Sequence, residues 1–189
     1  ELRRSLGADP STLILLFVSM NFEVKGLDYV MQGLAALKRA GRSRLPLLLV
    51  VGRGNEGHYR RMAEGLGIGE HVRFSGVTGH EGLDTLYLGS DLFAMLSRFD
   101  TFGMAALDAM AASLPVVLSG NVGARDLVRD GVNGFVVENP GDAKAAAERF
   151  ERLLDAEVRL RMGREAYRTA AGQSWDEVAR RQIEIYGEL

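Results

Sequence analysis

The chain has 189 residues and a formal net charge of −2, from 23 Lys and Arg against 25 Asp and Glu. Hydrophobic residues make up 47% and charged residues 25% of it, a balance typical of an ordinary globular domain, which excludes a disordered or collagen-like chain. The balanced charge disfavours a broad nucleic-acid-binding surface, and the absence of cysteine excludes a disulfide scaffold, a thiol nucleophile and a Cys-ligated metal.

The length predicts a single domain, because domains commonly contain about 100–200 residues. The longest apolar runs, Leu13–Val18 and Leu45–Val51, are far shorter than the ~20 residues needed to cross a bilayer, and no signal peptide is recognisable. With the lack of cysteine, these features lead us to expect a cytoplasmic protein.

Six segments, most of them apolar, predict β-strands. The first, Thr12–Ser19, is apolar without alternation, as expected for a strand of a parallel sheet that is covered on both faces. The predicted strands are Thr12–Ser19, Leu45–Val51, Val72–Ser75, Leu92–Leu96, Pro115–Ser119 and Gly134–Val137.

Amphipathic segments between these strands predict helices. From Leu27 onward apolar residues recur at three- and four-residue spacing up to Gly41, which indicates a helix that ends at a glycine. The other predicted helices are His58–Leu66, His80–Leu88, Met104–Ala112, a short one at Ala124–Arg129, and then Asp142–Leu154, Ala156–Ala171 and Trp175–Tyr186. Strict alternation predicts an α/β fold: a doubly wound, Rossmann-like parallel sheet of about six strands with C-terminal helices.

Ligands bind such sheets at the carboxyl ends of the strands, so the loops after the strands are the places to search. The loop Gly52–Gly57 matches G-x-G-x-x-G between a strand and a helix. However, it follows the second strand, and the third strand ends at Gly76 without the acidic residue that holds an adenosine ribose. A tight glycine turn is therefore favoured over a nicotinamide-binding site.

Two further loops carry charged residues suited to a phosphorylated ligand. Lys25-Gly26 opens a helix, where a lysine opposes the helix dipole unless an anion binds between them; a solvated lysine is the alternative. Asp108 is the only charged residue between Met104 and Leu118, so we expect it to be buried with a dedicated hydrogen-bonding partner such as a sugar hydroxyl.

Around Asp108 the start of the helix also suits an anion. Gly103 allows close approach of the backbone, and the N–H groups of residues 102–105 would form an anion cradle. Alternatively, Asp100 or Thr101 caps the helix and Asp108 pairs with a neighbouring arginine.

Together these residues resemble the C-terminal, donor-binding domain of retaining glycosyltransferases of GT-B fold, family 4 (group 1). The most specific element is a pair of acids eight residues apart around Phe-Gly, followed by Ala-Met-Ala-x-x-x-Pro-Val-Val. The matching segments are Lys25-Gly26, Asp100–Asp108, Ala109–Val117, Gly123–Val128 and Asp130–Phe135. The loop over residues 20–26 looks most like that of lipopolysaccharide-core glucosyltransferases, which implies a role in cell-envelope polysaccharide synthesis.

The resemblance implies a role for each matching residue. Lys25 would bind the donor diphosphate, Asp100 the hydroxyls of the transferred sugar and Asp108 the nucleotide ribose, with Lys25 and Asp100 as the catalytic pair. The implied donor-binding residues are Asn21, Lys25, Gly52, Val77, Thr78, Asp100, Thr101, Phe102, Gly103, Met104 and Asp108. Neither a metal nor another cofactor is implied, because lysine and backbone dipoles would stabilise the phosphates.

Several residues depart from the family pattern. Both acids are Asp where the family usually has Glu, Ser19-Met20 stands in place of Gly-Arg, and Asp126 replaces a Glu. Ser113 takes the place of the glycine in the turn before Pro115. The shorter acids and the missing arginine are expected to alter sugar preference or weaken donor binding.

Other candidates have simpler interpretations. The histidines His58, His71 and His80 lack the spacing of metal ligands. Arg98 is expected to form a surface pair rather than to hold phosphate, and Trp175 to pack its helix toward a second domain. The basic run Arg159–Arg168 is typical of a solvated helix face, with weak attachment to an anionic membrane surface as the alternative.

We therefore expect residues 1–189 to form one nucleotide-sugar-binding domain, with helices over residues 142–189 capping the sheet and the N-terminal acceptor domain of the GT-B fold absent. The expected reaction is transfer of a sugar, from a UDP-sugar, to a glycan, lipid or small molecule, with little or no activity for this chain alone. Two alternatives stay open: a nucleotide-sugar-binding module without transfer activity, and a sugar-nucleotide epimerase-like domain.

Overall fold

The computed structural model describes residues 2–41 and 44–187; the predicted domain limits, residues 1 and 189, lie outside them. The strands are β1 Ile14–Ser19, β2 Leu47–Gly52, β3 Val72–Gly76, β4 Leu92–Met95, β5 Val116–Ser119 and β6 Gly134–Val137. The helices are α1 Leu2–Ser5, α2 Leu27–Arg39, α3 Glu56–Gly65, α4 His80–Gly89, α5 Met104–Ala111, α6 Ala143–Arg152, α7 Ala156–Ala171 and α8 Trp175–Gly187. Short 3-10 helices cover Gly69–His71 and Gly123–Leu127.

The described strands form one parallel sheet in the order β3-β2-β1-β4-β5-β6. Strand β1 pairs with β2 along its whole length, from Ile14 opposite Leu47 to Ser19 opposite Gly52, and with β4 on its other side. Strands β2 and β3 are added on one side of β1, and β4 to β6 on the other side. The loops that follow β1 and β4 therefore lie on either side of a crevice. The predicted doubly wound sheet of six strands is confirmed.

Helices cover both faces of the sheet, which explains the apolar runs of strands such as β1 and β2. On one face α2 packs on α6, and a Cβ at Gly33 would lie 2.8 Å from Ala146 Cβ and 2.9 Å from the Phe150 ring. On the other face α5 packs on α7, where a Cβ at Gly163 would lie 2.3 Å from the Ser113 carbonyl oxygen. Each face has its own fully buried core, one containing Phe17 and the other Phe93.

The last helix is exposed along its whole length. No residue of α8 is buried, and Trp175 is 82% exposed, with Ile183 and Tyr186 also open to solvent. Within residues 2–41 and 44–187, no helix has the length and hydrophobicity needed to span a membrane.

The predicted elements agree with the structure except at their ends. Helix α3 begins at Glu56 rather than His58, because the Asn55 side chain caps it by accepting a hydrogen bond from the His58 amide. The one-turn helix α1 was not predicted, since four residues show no periodicity. Ser113, at the position of the family's turn glycine, adopts φ 63°, a left-handed conformation that strains a residue with a Cβ.

Candidate functional site

Lys25 lies in the loop after β1, which is a compact turn. The Lys25 amide donates to the Asn21 carbonyl at 3.1 Å, and the following Gly26 has φ 71°. A Cβ at Gly26 would lie 1.9 Å from the Leu96 carbonyl oxygen, so only glycine lets this loop rest directly on the end of β4. That contact brings Lys25 to the loop that follows β4.

Lys25 forms an ion pair with Asp100 in that neighbouring loop. The distance from Lys25 Nζ to Asp100 Oδ2 is 2.5 Å, and the two side chains are 26% and 11% exposed. The Asp100 backbone is fixed on both sides, because its amide donates to the Asn121 carbonyl and its carbonyl accepts from the Gly123 amide. The structure thus brings together the two predicted catalytic residues.

The amino end of α5 faces the same region. Gly103 precedes the helix with φ 93°, and a Cβ there would lie 2.8 Å from Met95 Cε and from Val122 Cγ1. The amides of Gly103, Met104 and Ala105 have no hydrogen-bond acceptor in the described part of the chain. Unbonded amides at a helix start, together with the helix dipole, favour an anion.

At this helix start the structure contradicts part of the expected anion cradle and also the alternative of a side-chain cap. The Phe102 amide is not free, because it donates to Asp100 Oδ1 at 3.3 Å. Neither Asp100 nor Thr101 caps the helix, since Gly103 occupies the cap position without a side-chain hydrogen bond. Asp100 Oδ2 instead accepts a hydrogen bond from Lys25 Nζ at 2.5 Å.

Asp108 is not buried, contrary to expectation. Its side chain is exposed, and it has neither a hydrogen bond nor an ion pair among residues 2–41 and 44–187. Partial desolvation raises the pKa of the carboxyl, and the charge of Asp84 raises it further. The alternative of an arginine partner is therefore not met among the described residues, and the carboxylate is available to a ligand.

Lys25, Asp100 and the start of α5 line a cleft of about 400 Å³. It lies at the carboxyl ends of β1, β2 and β4 and contains seven of the predicted residues. These are Lys25, Gly52, Val77, Thr78, Asp100, Gly103 and Met104.

The remaining predicted residues lie outside the lining of the cleft: Asn21, Thr101, Phe102 and Asp108. Asn21 faces a neighbouring cavity of about 650 Å³, and its Oδ1 accepts a hydrogen bond from the Val24 amide, so in this structure it shapes the Lys25 loop. Thr101 and Phe102 are exposed just before α5.

The cleft also contains residues that were not predicted to bind the donor, among them Met20, Leu83 and Met95. Met95 ends β4, so the rule that ligands bind at the carboxyl ends of strands was a signal for it. Leu83 projects from the middle of α4, and no sequence pattern separates it from an ordinary core leucine.

The glycine-rich loop after β2 is explained by packing. Gly52 has φ 117°, and a Cβ there would lie 1.7 Å from the Ser19 carbonyl oxygen; a Cβ at Gly54 would lie 2.2 Å from the Phe22 ring. Both glycines let this loop press against the loop after β1. Strand β3 ends at Gly76 without an acidic residue, which disfavours a dinucleotide site.

In the part of the chain that the structure describes, no three His, Cys, Asp or Glu side chains form a group that could hold a metal ion. Burial lowers the pKa of His71, which lies near the opposite end of the sheet, in a cavity with Arg44 and Arg159. The three histidines are therefore not assembled into one site.

The sheet order and the cleft between the loops after β1 and β4 define a doubly wound α/β domain of the kind that binds ligands at its topological switch point. The chain belongs to the family described as Glycosyl transferases group 1, whose model matches residues 1–169.

Relatives and solved structures agree with this assignment. The D-inositol 3-phosphate glycosyltransferase of Actinosynnema mirum is 33% identical over 196 residues, which cover 100% of this chain and 47% of the relative. WaaG, a glycosyltransferase involved in lipopolysaccharide biosynthesis, matches with a TM-score of 0.82 and 26% identity over 97% of this chain and 49% of its own. Anabaena HepE, solved with UDP and glucose, matches with a TM-score of 0.80 and 25% identity over 100% of this chain and 51% of its own. The chain therefore spans about half the length of the curated relatives it matches.

Proposed function

We propose that this chain is the donor-binding half of a metal-independent, retaining glycosyltransferase that uses a UDP-sugar. The observation that carries the proposal is the cleft in which the Lys25 ammonium, the Asp100 carboxylate and the unbonded amides at the start of α5 meet. A cation and a helix amino end directed into one cleft suit a diphosphate. UDP in the HepE structure supports the choice of nucleotide.

Each group has a task in the proposed site. Lys25 and the amides of Gly103 and Met104 bind the diphosphate, and Asp100 accepts hydrogen bonds from sugar hydroxyls. Asp108 binds the ribose hydroxyls, because it is an exposed carboxylate without a partner among the described residues. Val77, which is exposed, lies with Thr78 along the base.

The proposed reaction needs no protein nucleophile. The bond between the anomeric carbon and the β-phosphate oxygen breaks, and its electron pair stays on the departing UDP. The acceptor oxygen bonds to the anomeric carbon on the same face, and its proton passes to the phosphate. Lys25 and the α5 amino end lower the barrier by stabilising the charge that develops on UDP. Within the proposal, these groups do the work that a metal ion does elsewhere.

The acceptor site belongs, in this proposal, to an N-terminal domain. The relatives' length leaves room for a second domain of similar size, and α8 presents Trp175, Ile183 and Tyr186 to solvent. An amphipathic helix that buries none of its apolar residues is expected to pack against another surface. We infer that α8 packs on that domain and that this chain alone has little or no transfer activity.

The proposed setting is cytoplasmic. Weak attachment to an anionic membrane surface would involve Arg161 and Arg164 of α7, which are exposed. Arg159 donates to the Leu153 and Leu154 carbonyls instead, so only part of the basic run is available for such a contact.

Calorimetric titration of the chain with UDP, GDP and ADP tests the site. A charge-assisted hydrogen bond contributes about 1.5–3 kcal/mol, so Lys25→Ala should weaken UDP binding roughly 10- to 150-fold. Asp108→Ala should also weaken it, whereas Lys38→Ala should not, because Lys38 donates to the Gly67 carbonyl and lines a different cavity.

The outcomes separate the site from the nucleotide. Unchanged UDP affinity in both Lys25→Ala and Asp108→Ala would contradict the site assignment. Tighter binding of GDP or ADP than of UDP would contradict the uridine preference alone. Interconversion of a UDP-sugar without an acceptor would favour the epimerase alternative.

A further inference from the structure

Arg98 connects the two loops that carry Lys25 and Asp100. Its guanidinium forms two parallel hydrogen bonds with Asp28, from Nη1 to Oδ1 at 2.9 Å and from Nη2 to Oδ2 at 2.6 Å. Nη1 also donates to the Glu23 carbonyl at 2.5 Å. The guanidinium carbon lies 4.3 Å from the centroid of the Tyr29 ring, a distance typical of a cation–π contact.

The backbone of Arg98 makes the same connection. Its amide donates to the Val24 carbonyl at 2.9 Å. The groups that Arg98 contacts lie on both sides of Lys25 in the chain, while Arg98 itself is two residues before Asp100. One residue therefore joins the two loops at the position of their ion pair.

We propose that Arg98 is a positioning residue for donor binding, which holds the Lys25 loop against the Asp100 loop so that both side chains face the cleft. This inference rests on the proposed function of the cleft. It differs from a phosphate-binding role for Arg98, because the described guanidinium is already engaged by Asp28, Glu23 and Tyr29.

The geometry favours a rigid connection over an ordinary surface ion pair. A guanidinium that binds a carboxylate through two parallel bonds is fixed in orientation as well as in distance. Asp28 lies in the first turn of α2, where the helix dipole stabilises its charge. Hydrogen bonding to Asp28 raises the pKa of Arg98, so the guanidinium stays charged.

Without Arg98, the side chains of the two loops are joined mainly by the Lys25–Asp100 pair that the donor itself must engage. If the loop leaves its binding-competent arrangement, the apparent Kd rises in inverse proportion to the fraction of molecules that stays competent. If the competent arrangement falls to roughly a tenth, the Kd for UDP rises about tenfold.

The test compares UDP binding by the 189-residue chain and its variants by calorimetry. Arg98→Ala should raise the Kd for UDP about tenfold. Arg98→Lys should raise it nearly as much, because lysine keeps the charge but cannot form the two parallel bonds. Asp28→Asn should raise the Kd for UDP as well. The Arg98→Ala/Asp28→Asn double variant should bind UDP no more weakly than Arg98→Ala alone.

Arg3→Ala is the matched control for stability. Arg3 pairs with Asp91 at 2.5 Å and donates to the Thr12 carbonyl. The Arg3–Asp91 pair is about as buried as the Arg98–Asp28 pair, but it lies at the amino ends of the strands. Arg3→Ala should lower Tm at least as much as Arg98→Ala while leaving the Kd for UDP unchanged.

Amide hydrogen exchange gives a readout that needs no ligand. Arg98→Ala should speed exchange at Lys25, whose amide donates to Asn21 within the loop, whereas Arg3→Ala should not. A merely structural role would lower Tm without this local change.

The outcomes distinguish the two proposals. If the wild-type chain bound no UDP, the proposed function would be wrong and the positioning role with it. Suppose instead that the wild type binds UDP and that Lys25→Ala weakens UDP binding. If Arg98→Ala or Arg98→Lys then binds UDP as tightly as the wild type does, the positioning role alone is wrong.

Discussion

Asp100→Asn removes a negative charge next to the proposed diphosphate site. Asp100 Oδ2 lies 2.5 Å from Lys25 Nζ, so in the free chain the carboxylate and a bound phosphate would compete for the same ammonium. Asparagine has the same shape, and its oxygen can still accept the hydrogen bond from the Phe102 amide that Asp100 Oδ1 accepts. With that bond kept, the NH2 group of asparagine takes the place of Oδ2 and cannot accept from the Lys25 ammonium. The substitution therefore removes the charge and releases Lys25 for a phosphate.

The size of the effect follows from the geometry. A phosphate oxygen that binds Lys25 Nζ at about 2.8 Å would lie at most about 5.3 Å from Asp100 Oδ2. Two unit negative charges at that distance repel by about 0.8 kcal/mol at the dielectric constant of water and about 3 kcal/mol at an effective value of 20. Because both side chains are mostly buried, we expect about 1–2 kcal/mol, or roughly 5- to 30-fold tighter UDP binding.

Calorimetry at low and high salt measures this change. The gain should shrink at high ionic strength, since salt screens the repulsion. For a UDP-sugar the gain should be smaller or reversed, because Asp100 is also the proposed acceptor for sugar hydroxyls. Asp176→Asn in α8 is the control, because it removes the same charge at an exposed position away from the cleft. Equal or weaker UDP binding by Asp100→Asn, with Tm unchanged, would refute the electrostatic reasoning.

Three further predictions concern stability and its relation to the site. Asp108→Asn should raise Tm at pH 7 and weaken UDP binding. The folded-state pKa of Asp108 is raised, so the charged carboxyl costs stability as pH rises from below 3.8 through the raised value. A gain in Tm that persists at pH 3 would contradict this reasoning. Ser113→Gly should raise the free energy of unfolding by about 0.5–1 kcal/mol by relieving the left-handed φ of 63°, whereas Ser90→Gly, at φ −91°, should lower it in the same denaturant titration. Gly103→Ala should lower the free energy of unfolding by more than about 2 kcal/mol and abolish UDP binding, because backbone strain adds to contacts of 2.8 Å. The control Gly7→Ala, at φ 64° and with nothing within 4 Å of the added Cβ, should lower the free energy of unfolding by only about 1 kcal/mol.

The fold was predictable because its signals are local. Most buried strands are short apolar runs, and amphipathic helices show a three- to four-residue apolar period, as Leu27, Val30 and Leu34 do in α2. Alternation of the two then limits the topology to a doubly wound sheet. The ends of helices were less certain because they depend on single capping contacts, such as that of Asn55 with the His58 amide.

The burial of Asp108 was mispredicted because α5 is rich in small apolar residues. Ala106, Ala109 and Met110 are buried, but alanine is also tolerated on exposed faces, so the sequence of α5 does not distinguish its buried face from its exposed one. Packing against α7 selects the buried face and leaves Asp108 on the other.

The class of fold, the residue types that could bind an anion and the loops that carry them follow from the amino-acid sequence, since they depend on local patterns and on the rule that places ligands at the carboxyl ends of strands. The pairing of Lys25 with Asp100 across 75 positions of the chain and the binding of Arg98 to Asp28 are seen only in the folded chain. Partners this far apart in sequence meet because strands β1 and β4 end side by side, and a short-range apolar period carries no information about which strands are neighbours.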